Sequence, residues 1–301
     1  MAESNNRGFT GELVRFRTGD GLELHGFLVL PTGRQKPVGV LHVHGWDGNF
    51  YENRFIYDAA AEYTGRGMPF LAANNRGHDY ISDILREPQC DYVQLGGMYE
   101  RLGDCIEDIR AGLRLLAGRG CRRFILQGHS HGAVKVAHYL STIQDKRVAG
   151  LVLLSPSDDL GWGRKLLGSR FEPTRRKARA LVKVGREREL LPAGTFPSPV
   201  SAGTFLDCFG PDSIAGMFNL SRTDRAEFPE LAAVRVPVFV AVGTVEEAFP
   251  MEPAEYVRAI GQAMTGVRSF HSRVIRGAPH NFLGREKQLA AALGRWLDEV
   301  K

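Results

Sequence analysis

Ser130 stands in Gly128-His129-Ser130-His131-Gly132, a G-x-S-x-G pattern. The apolar run Arg123–Gln127 before it reads as a strand, and the stretch from Ala133 to about Ile143 reads as a helix. A strand that turns into a helix this abruptly strains the serine backbone and lifts its hydroxyl above the sheet edge. Small residues are needed on either side because neighbouring chain runs close by. The helix N-terminus offers free N–H groups and a positive dipole to developing negative charge. A hydroxyl is a poor nucleophile at neutral pH, so an imidazole has to take its proton. Of nine histidines, His280 fits best, in Gly277-Ala278-Pro279-His280-Asn281-Phe282 between the last strand and the last helix. His129 and His131 flank the serine, and side chains adjacent on a tight turn diverge. Neither reads as the base, but the His131 N–H is placed to donate to an oxyanion. His42 reads as structural on a buried strand, and His78 and His138 carry no chemistry the sequence argues for.

The base needs a carboxylate to fix its tautomer and stabilise its cation. The apolar run Val236–Val242 ends in Gly243-Thr244-Val245-Glu246-Glu247. Glu246 is the expected acid, Glu247 the next choice, and Asp158 and Asp159 a fallback pair after the preceding strand. The second oxyanion donor is expected in His44-Gly45-Trp46-Asp47-Gly48, whose glycines let the Trp46 N–H turn toward Ser130. Losing one such donor typically costs about 3 kcal/mol of transition-state stabilisation. The chemistry is acyl transfer to water, with a small-molecule acyl substrate and neither metal nor organic cofactor. Esters, lactones and thioesters all fit, simple carboxylic esters first.

Positioning these groups takes a scaffold that delivers several loops to one edge. Residues 11–17 and 22–30 alternate as strands around the turn Gly19-Asp20-Gly21. Val38–Val43, Pro69–Ala73, Arg123–Gln127, Val148–Leu154, Val236–Val242 and Phe270–Ile275 are dense apolar runs of the kind buried on both faces. Helical periodicity covers 53–66, 99–117, 133–143, 253–265 and the C-terminus. The expectation is a mostly parallel central sheet flanked by helices. Residues 157–228 break the pattern and contain no convincing buried strand. At that length a plain loop is disfavoured, so the segment is expected to form a cap inserted between core portions 1–156 and 229–301.

Composition narrows the partners. With 301 residues, 43% of them hydrophobic, one large core can be buried. A net charge of +5 is too small an excess over this length to mark a nucleic-acid binder. The one dense basic stretch, Arg175–Arg188, reads as a solvated helix face, with a lid attracting an acidic substrate as the alternative. No run approaches the roughly 18 apolar residues of a membrane span, and MAESNNRGFTGELVRF lacks the apolar region of a secretory signal. A cytoplasmic protein with no membrane partner is expected, with self-association left open. Cys90, Cys105, Cys121 and Cys208 are scattered without a CxxC pair, so they read as free thiols and no zinc site is expected.

In order and spacing, HGWDG, NNRGHD, GHSHG, GTVEE and GAPHNF resemble the α/β-hydrolase superfamily over nearly the whole chain. DGLELHGFLVLP is similar to the serine-aminopeptidase-like and esterase branches. NFYENRF, NNRGHD and GHSHGAVKVAHYL are similar to a group that includes fungal siderophore esterases. The resemblance implies an α/β-hydrolase fold, Ser130 as nucleophile, His280 as base, and the Trp46 and His131 amides as oxyanion donors. The family usually has Asp three residues after the strand-end glycine, and here that position holds Glu246. Rival readings on the same residues are a peptidase or amidase, an acyltransferase, and a silent binding protein. The basic cap argues against an aminopeptidase, and the intact Ser, His and elbow glycines argue against a silent protein.

Overall fold

The computed structural model describes residues 10–210, 213–221 and 227–300. Part of the N-terminal stretch read for a secretory signal, and residues 211–212 and 222–226 of the 157–228 segment, lie outside the described residues.

A hairpin opens the fold, with β1 (Glu12–Arg17) antiparallel to β2 (Glu23–Val29). There follow β3 (Val38–Val43), α1 (Phe55–Gly65), β4 (Phe70–Ala73), β5 (Ser82–Arg86) and β6 (Asp91–Leu95). Then come α2 (Cys105–Gly118), β7 (Arg123–His129), α3 (His131–Ile143) and β8 (Val148–Leu154). After β8 the chain forms α4 (Asp159–Leu167), α5 (Phe171–Lys183) and α6 (Ala202–Phe209). It closes with α7 (Pro229–Ala232), β9 (Val238–Val245), α8 (Pro253–Ala263), β10 (Phe270–Pro279) and α9 (Glu286–Glu299). Eight strands make one sheet in the order β1-β2-β4-β3-β7-β8-β9-β10. In that order β4, β3, β7, β8, β9 and β10 run parallel, and β2 pairs antiparallel with both β4 and β1 at one edge.

The apolar runs are continuous because both faces of the sheet are covered. Side chains alternate across a strand, and the alternation sorts them into two cores. On one face Leu41, Val43, Leu151, Leu153, Val238, Val240 and Val242 pack with α2, α3 and α8. On the other, Val40, Val152, Leu154, Phe239 and Ala241 pack with α1 and α9, including the fully buried Phe55 and the nearly buried Trp296. Each buried side chain of this size contributes about 1.5–3 kcal/mol, so the sheet is the rigid part of the molecule. Because the central strands are parallel, their C-terminal ends share one edge, and the loops after β3, β7, β8, β9 and β10 all emerge there.

Four local departures from the sequence reading have physical reasons. The β5–β6 hairpin, absent from that reading, buries only Ile84 among its ten residues, so its strands carry little apolar signal. The helix expected from residue 99 starts at Cys105, after a 3₁₀ turn over Leu102–Asp104. The last strand runs four residues past Ile275, with a register irregularity before Pro279. The strand-to-helix turn at the serine is also tighter than read: β7 extends to His129 and α3 begins at His131.

Between β8 and β9 the described residues form helices and 3₁₀ turns, plus one isolated bridge between Leu190 and Ser201. Leu160, Leu167, Phe171, Phe196, Phe205 and Phe209 make a hydrophobic cluster separate from the two sheet cores. The 3₁₀ turn Ile214–Phe218 instead packs into the sheet core through Ala215, Met217 and Phe218. α5 buries only Phe171 and Ala178, leaving its basic residues on the outer face.

Candidate active site

Ser130 is the single residue between β7 and α3, with φ 56° and ψ −128°. That conformation is strained for a residue bearing a side chain, at a cost of order 1–3 kcal/mol. The packed strand and helix on either side hold it. A Cβ on Gly128 would lie 2.2 Å from the Gly132 carbonyl oxygen, and one on Gly132 would lie 2.2 Å from the Val43 oxygen. Real Cβ atoms do not approach so closely, so both glycines are steric requirements of the turn. The His131 N–H belongs to the first turn of α3, where amides have no partner within the helix.

His280 follows β10, and its Nδ1 lies 2.6 Å from Glu246 Oε1. The Glu246 side chain is fully covered, whereas that of His280 is about a quarter exposed. The Glu247 and Ala248 amides also donate to Glu246 Oε1, at 3.0 and 3.1 Å. Burial alone would raise the pKa of this carboxyl. The hydrogen bond and charge of His280, the Ala248 amide and the Ser155 hydroxyl outweigh it and hold the carboxyl below its usual value. Glu247, the alternative acid, is exposed and meets Glu246 through its own backbone. The fallback pair is engaged elsewhere: Asp158 accepts from the Gly161 amide and the Ser221 hydroxyl, and Asp159 is bound to His131.

The Trp46 loop is fixed from behind. The Asn75 amide donates to His44 Nε2 over 3.1 Å, so that nitrogen is the acceptor and Nδ1 carries the hydrogen. Nδ1 then donates to the Gly45 carbonyl at 2.8 Å. Burial, with the charge of Lys135 added, holds the His44 pKa well below its usual value and keeps the ring neutral. Carbonyl and N–H point opposite ways across a trans peptide. Pinning the Gly45 oxygen toward His44 therefore turns the Trp46 N–H the other way. Gly45 itself rests on the serine, since a Cβ there would lie 2.9 Å from Ser130 Cβ. Beneath this loop, the fully buried Lys135 Nζ meets Glu100 Oε1 at 2.5 Å and Asn75 Oδ1 at 3.3 Å.

The two histidines beside the serine have polar partners the sequence did not disclose. His129 Nε2 donates to the His280 carbonyl at 3.0 Å, anchoring the base by its backbone. His131 Nδ1 lies 2.7 Å from Asp159 Oδ2, with both side chains buried. His42 is fully buried, receives the Gln127 amide at 2.9 Å, and has its pKa depressed to about 3 by burial. Among the described residues, no three His, Cys, Asp or Glu side chains converge as ligands of a metal ion would.

Two cavities meet at Ser130 and His280. One, of about 660 Å³, is bounded by the Gly45–Gly48 loop, Glu52, Asn53 and the loops carrying Glu246 and His280. The other, of about 230 Å³, lies under the 157–228 segment, with Trp46, Trp162 and Phe196 among its walls. Ser198 Oγ donates to Asp47 Oδ2 at 2.6 Å and ties that segment to the Trp46 loop. A cavity of about 670 Å³ beside Phe228 and Ala263 is as large but touches none of the candidate residues, so size does not identify the site.

A model of the α/β-hydrolase family matches residues 40–292. No curated protein matches the chain by sequence. Among solved structures, the siderophore hydrolase EstB from Aspergillus fumigatus superposes with a TM-score of 0.71 at 17% identity, covering 98% of this chain and 99% of that one. Est1E from Butyrivibrio proteoclasticus, with ferulic acid bound, gives 0.66 at 19% identity over 95% and 99%. The Pyrococcus furiosus esterase Pf2001 gives 0.60 at 18% identity over 97% and 93%. At these identities the likeness is one of fold.

Proposed function

The chain belongs to the α/β-hydrolase family, and on that premise we propose that it is a serine hydrolase that cleaves a carboxylic ester of a small molecule. The observation that carries this reading is the meeting, at one pair of cavities, of a strained serine at a strand–helix elbow and a histidine held by a buried carboxylate. Ser130 Oγ attacks the ester carbonyl while His280 Nε2 takes its proton. Glu246 accepts from His280 Nδ1–H and stabilises the imidazolium. The oxyanion rests on the Trp46 and His131 amides. As the tetrahedral intermediate collapses, the C–O bond breaks and His280 returns the proton to the departing alcohol. Water, activated by the same imidazole, then hydrolyses the acyl-enzyme. The helices described within residues 157–210 act as the cap above this site. The esterases among the structural neighbours favour an ester over an amide.

The test sets wild type beside Ser130→Ala on activated esters of rising acyl length, with a fluorophosphonate label as a second readout. Turnover and labelling in the wild type, both lost in the variant, support the reading. Turnover that survives Ser130→Ala sinks it.

A further inference from the structure

We propose that the smaller cavity is the acyl pocket and that it selects an acyl group of one flat ring carrying a hydroxyl, recognised by Ser157 and His131. This rests on the serine-hydrolase reading above and narrows it to a substrate class.

The larger cavity is bounded by the loops of Glu246 and His280. Both cavities touch Ser130 and His280, so His280 can hand a proton into either; the larger, open along the Gly45–Gly48 loop to Glu52 and Asn53, is assigned to the departing alcohol. The smaller one, on the His131 side of Ser130, takes the acyl group.

Its walls fix the shape of that group. Trp46 stacks on Phe196 with centroids 5.3 Å apart and planes at 26°, and Trp162 meets Phe196 edge-on at 5.2 Å and 87°. The Trp46 indole N–H is already spent on the Gly97 carbonyl. This aromatic part of the wall, beside the carboxylate residues Asp47, Asp159 and Glu247 that also line the cavity, favours a flat ring. A cavity of about 150 Å³ holds benzene, so the 230 Å³ here leaves room for one ring and a substituent but not for a long chain.

Two residues that line this cavity carry polar atoms with unused bonding capacity. Ser157 is 4% exposed, and its Oγ is buried with no partner. A buried hydroxyl without a partner costs about 1–3 kcal/mol, a cost that a bound ligand group would relieve. With Nδ1–H on the Asp159 carboxylate, the neutral form of His131 presents Nε2 as an acceptor, and no described residue bonds to it. One acceptor and one hydroxyl together suit a group that both donates and accepts, which is a hydroxyl. Asp159 fixes the tautomer, so His131 and Asp159 act here as one recognition unit.

The experiment compares naphthyl esters of a hydroxyphenylalkanoic acid, its deoxy analogue and linear acids of equal length, with wild type and Ser157→Ala, and fluorophosphonate labelling alongside. Sites built to hydrogen-bond a substrate hydroxyl discriminate strongly against analogues that lack it. The wild type should favour the hydroxylated aromatic ester over its deoxy analogue at least ~tenfold in kcat/KM. Ser157→Ala should lose most of that preference while its kcat/KM on the deoxy ester stays near wild type. Asp159→Asn should also weaken the preference. Equal rates on the two aromatic esters in a labelled, active enzyme overturn this inference alone, as does a preference untouched by Ser157→Ala or faster turnover of linear acids. Absence of both labelling and turnover in folded wild type overturns the hydrolase reading and this inference with it.

Discussion

His280 Nδ1 and Glu246 Oε1 are 34 residues apart in sequence and 2.6 Å apart in space, and the next residue, Glu247, points its carboxylate to solvent. Two neighbouring glutamates thus occupy opposite environments at the end of one strand. Glu246→Gln should therefore lower kcat by about 10³–10⁴-fold, because an amide can present the wrong hydrogen-bonding group and misset the tautomer. Glu247→Gln should stay within a few-fold of wild type. Steady-state kinetics on one activated ester decide it, and a reversed ranking would move the acid by one residue.

His44 orients the Gly45–Trp46 peptide from behind, through its bond to the Gly45 carbonyl. His44→Ala should free that peptide and cost about 10²-fold in kcat, with a smaller change in KM, because the oxyanion donor matters most in the transition state. Assays belong well below the variant's unfolding temperature, since the Asn75 amide also loses its acceptor. A kcat within threefold of wild type would mean that the loop holds itself.

Lys135 and Glu100 form a buried pair beneath that loop. Removing one partner strands the other's charge, which typically costs 3–5 kcal/mol. Lys135→Met should lose about that much in urea unfolding. Adding Glu100→Gln should recover part of the loss, a positive coupling in a double-mutant cycle. Additive losses would show that the two residues contribute independently.

Asp158 caps α4 through the Gly161 amide, and burial pushes its pKa up to about 7 against the Gly161 and Ser221 hydrogen bonds. A carboxyl raised on folding binds its proton more tightly in the native state. Its contribution is therefore level below the unfolded value of 3.8 and turns against folding as pH rises from there through about 7. Asp158→Asn keeps a good N-cap and removes the titration. Its unfolding free energy should fall less than wild type's between pH 5 and pH 8, by roughly 2–3 kcal/mol. Parallel curves would exclude Asp158 as a source of pH dependence.

The serine elbow was legible because strand and helix periodicities are local and abut at Ser130. The loops after β9 and β10 were legible because a parallel sheet sends its strand ends to one edge. The choice of Glu246 over Glu247 rests on which way each side chain turns, and adjacent loop residues carry no such signal. The His131–Asp159 pair depends on where α4 lies, in a segment whose pattern gave no element order. Lys135 is fully buried beside Glu100 and Asn75, partners distant in sequence that nothing in its own helix signals. The expected oxyanion loop carries no trace in sequence of the His44–Asn75 bonds that hold it.

At Trp46 and His131, backbone and side chain face different tasks. In the proposed mechanism their amides hold the oxyanion, while the indole and the imidazole line the smaller cavity. Reaction and selectivity are thus written in separate parts of the same residues. Replacing either side chain would redraw the set of acids admitted while the amides stay where the His44-held loop and the start of α3 put them. A lineage carrying this site could change its diet by single substitutions without relearning its chemistry.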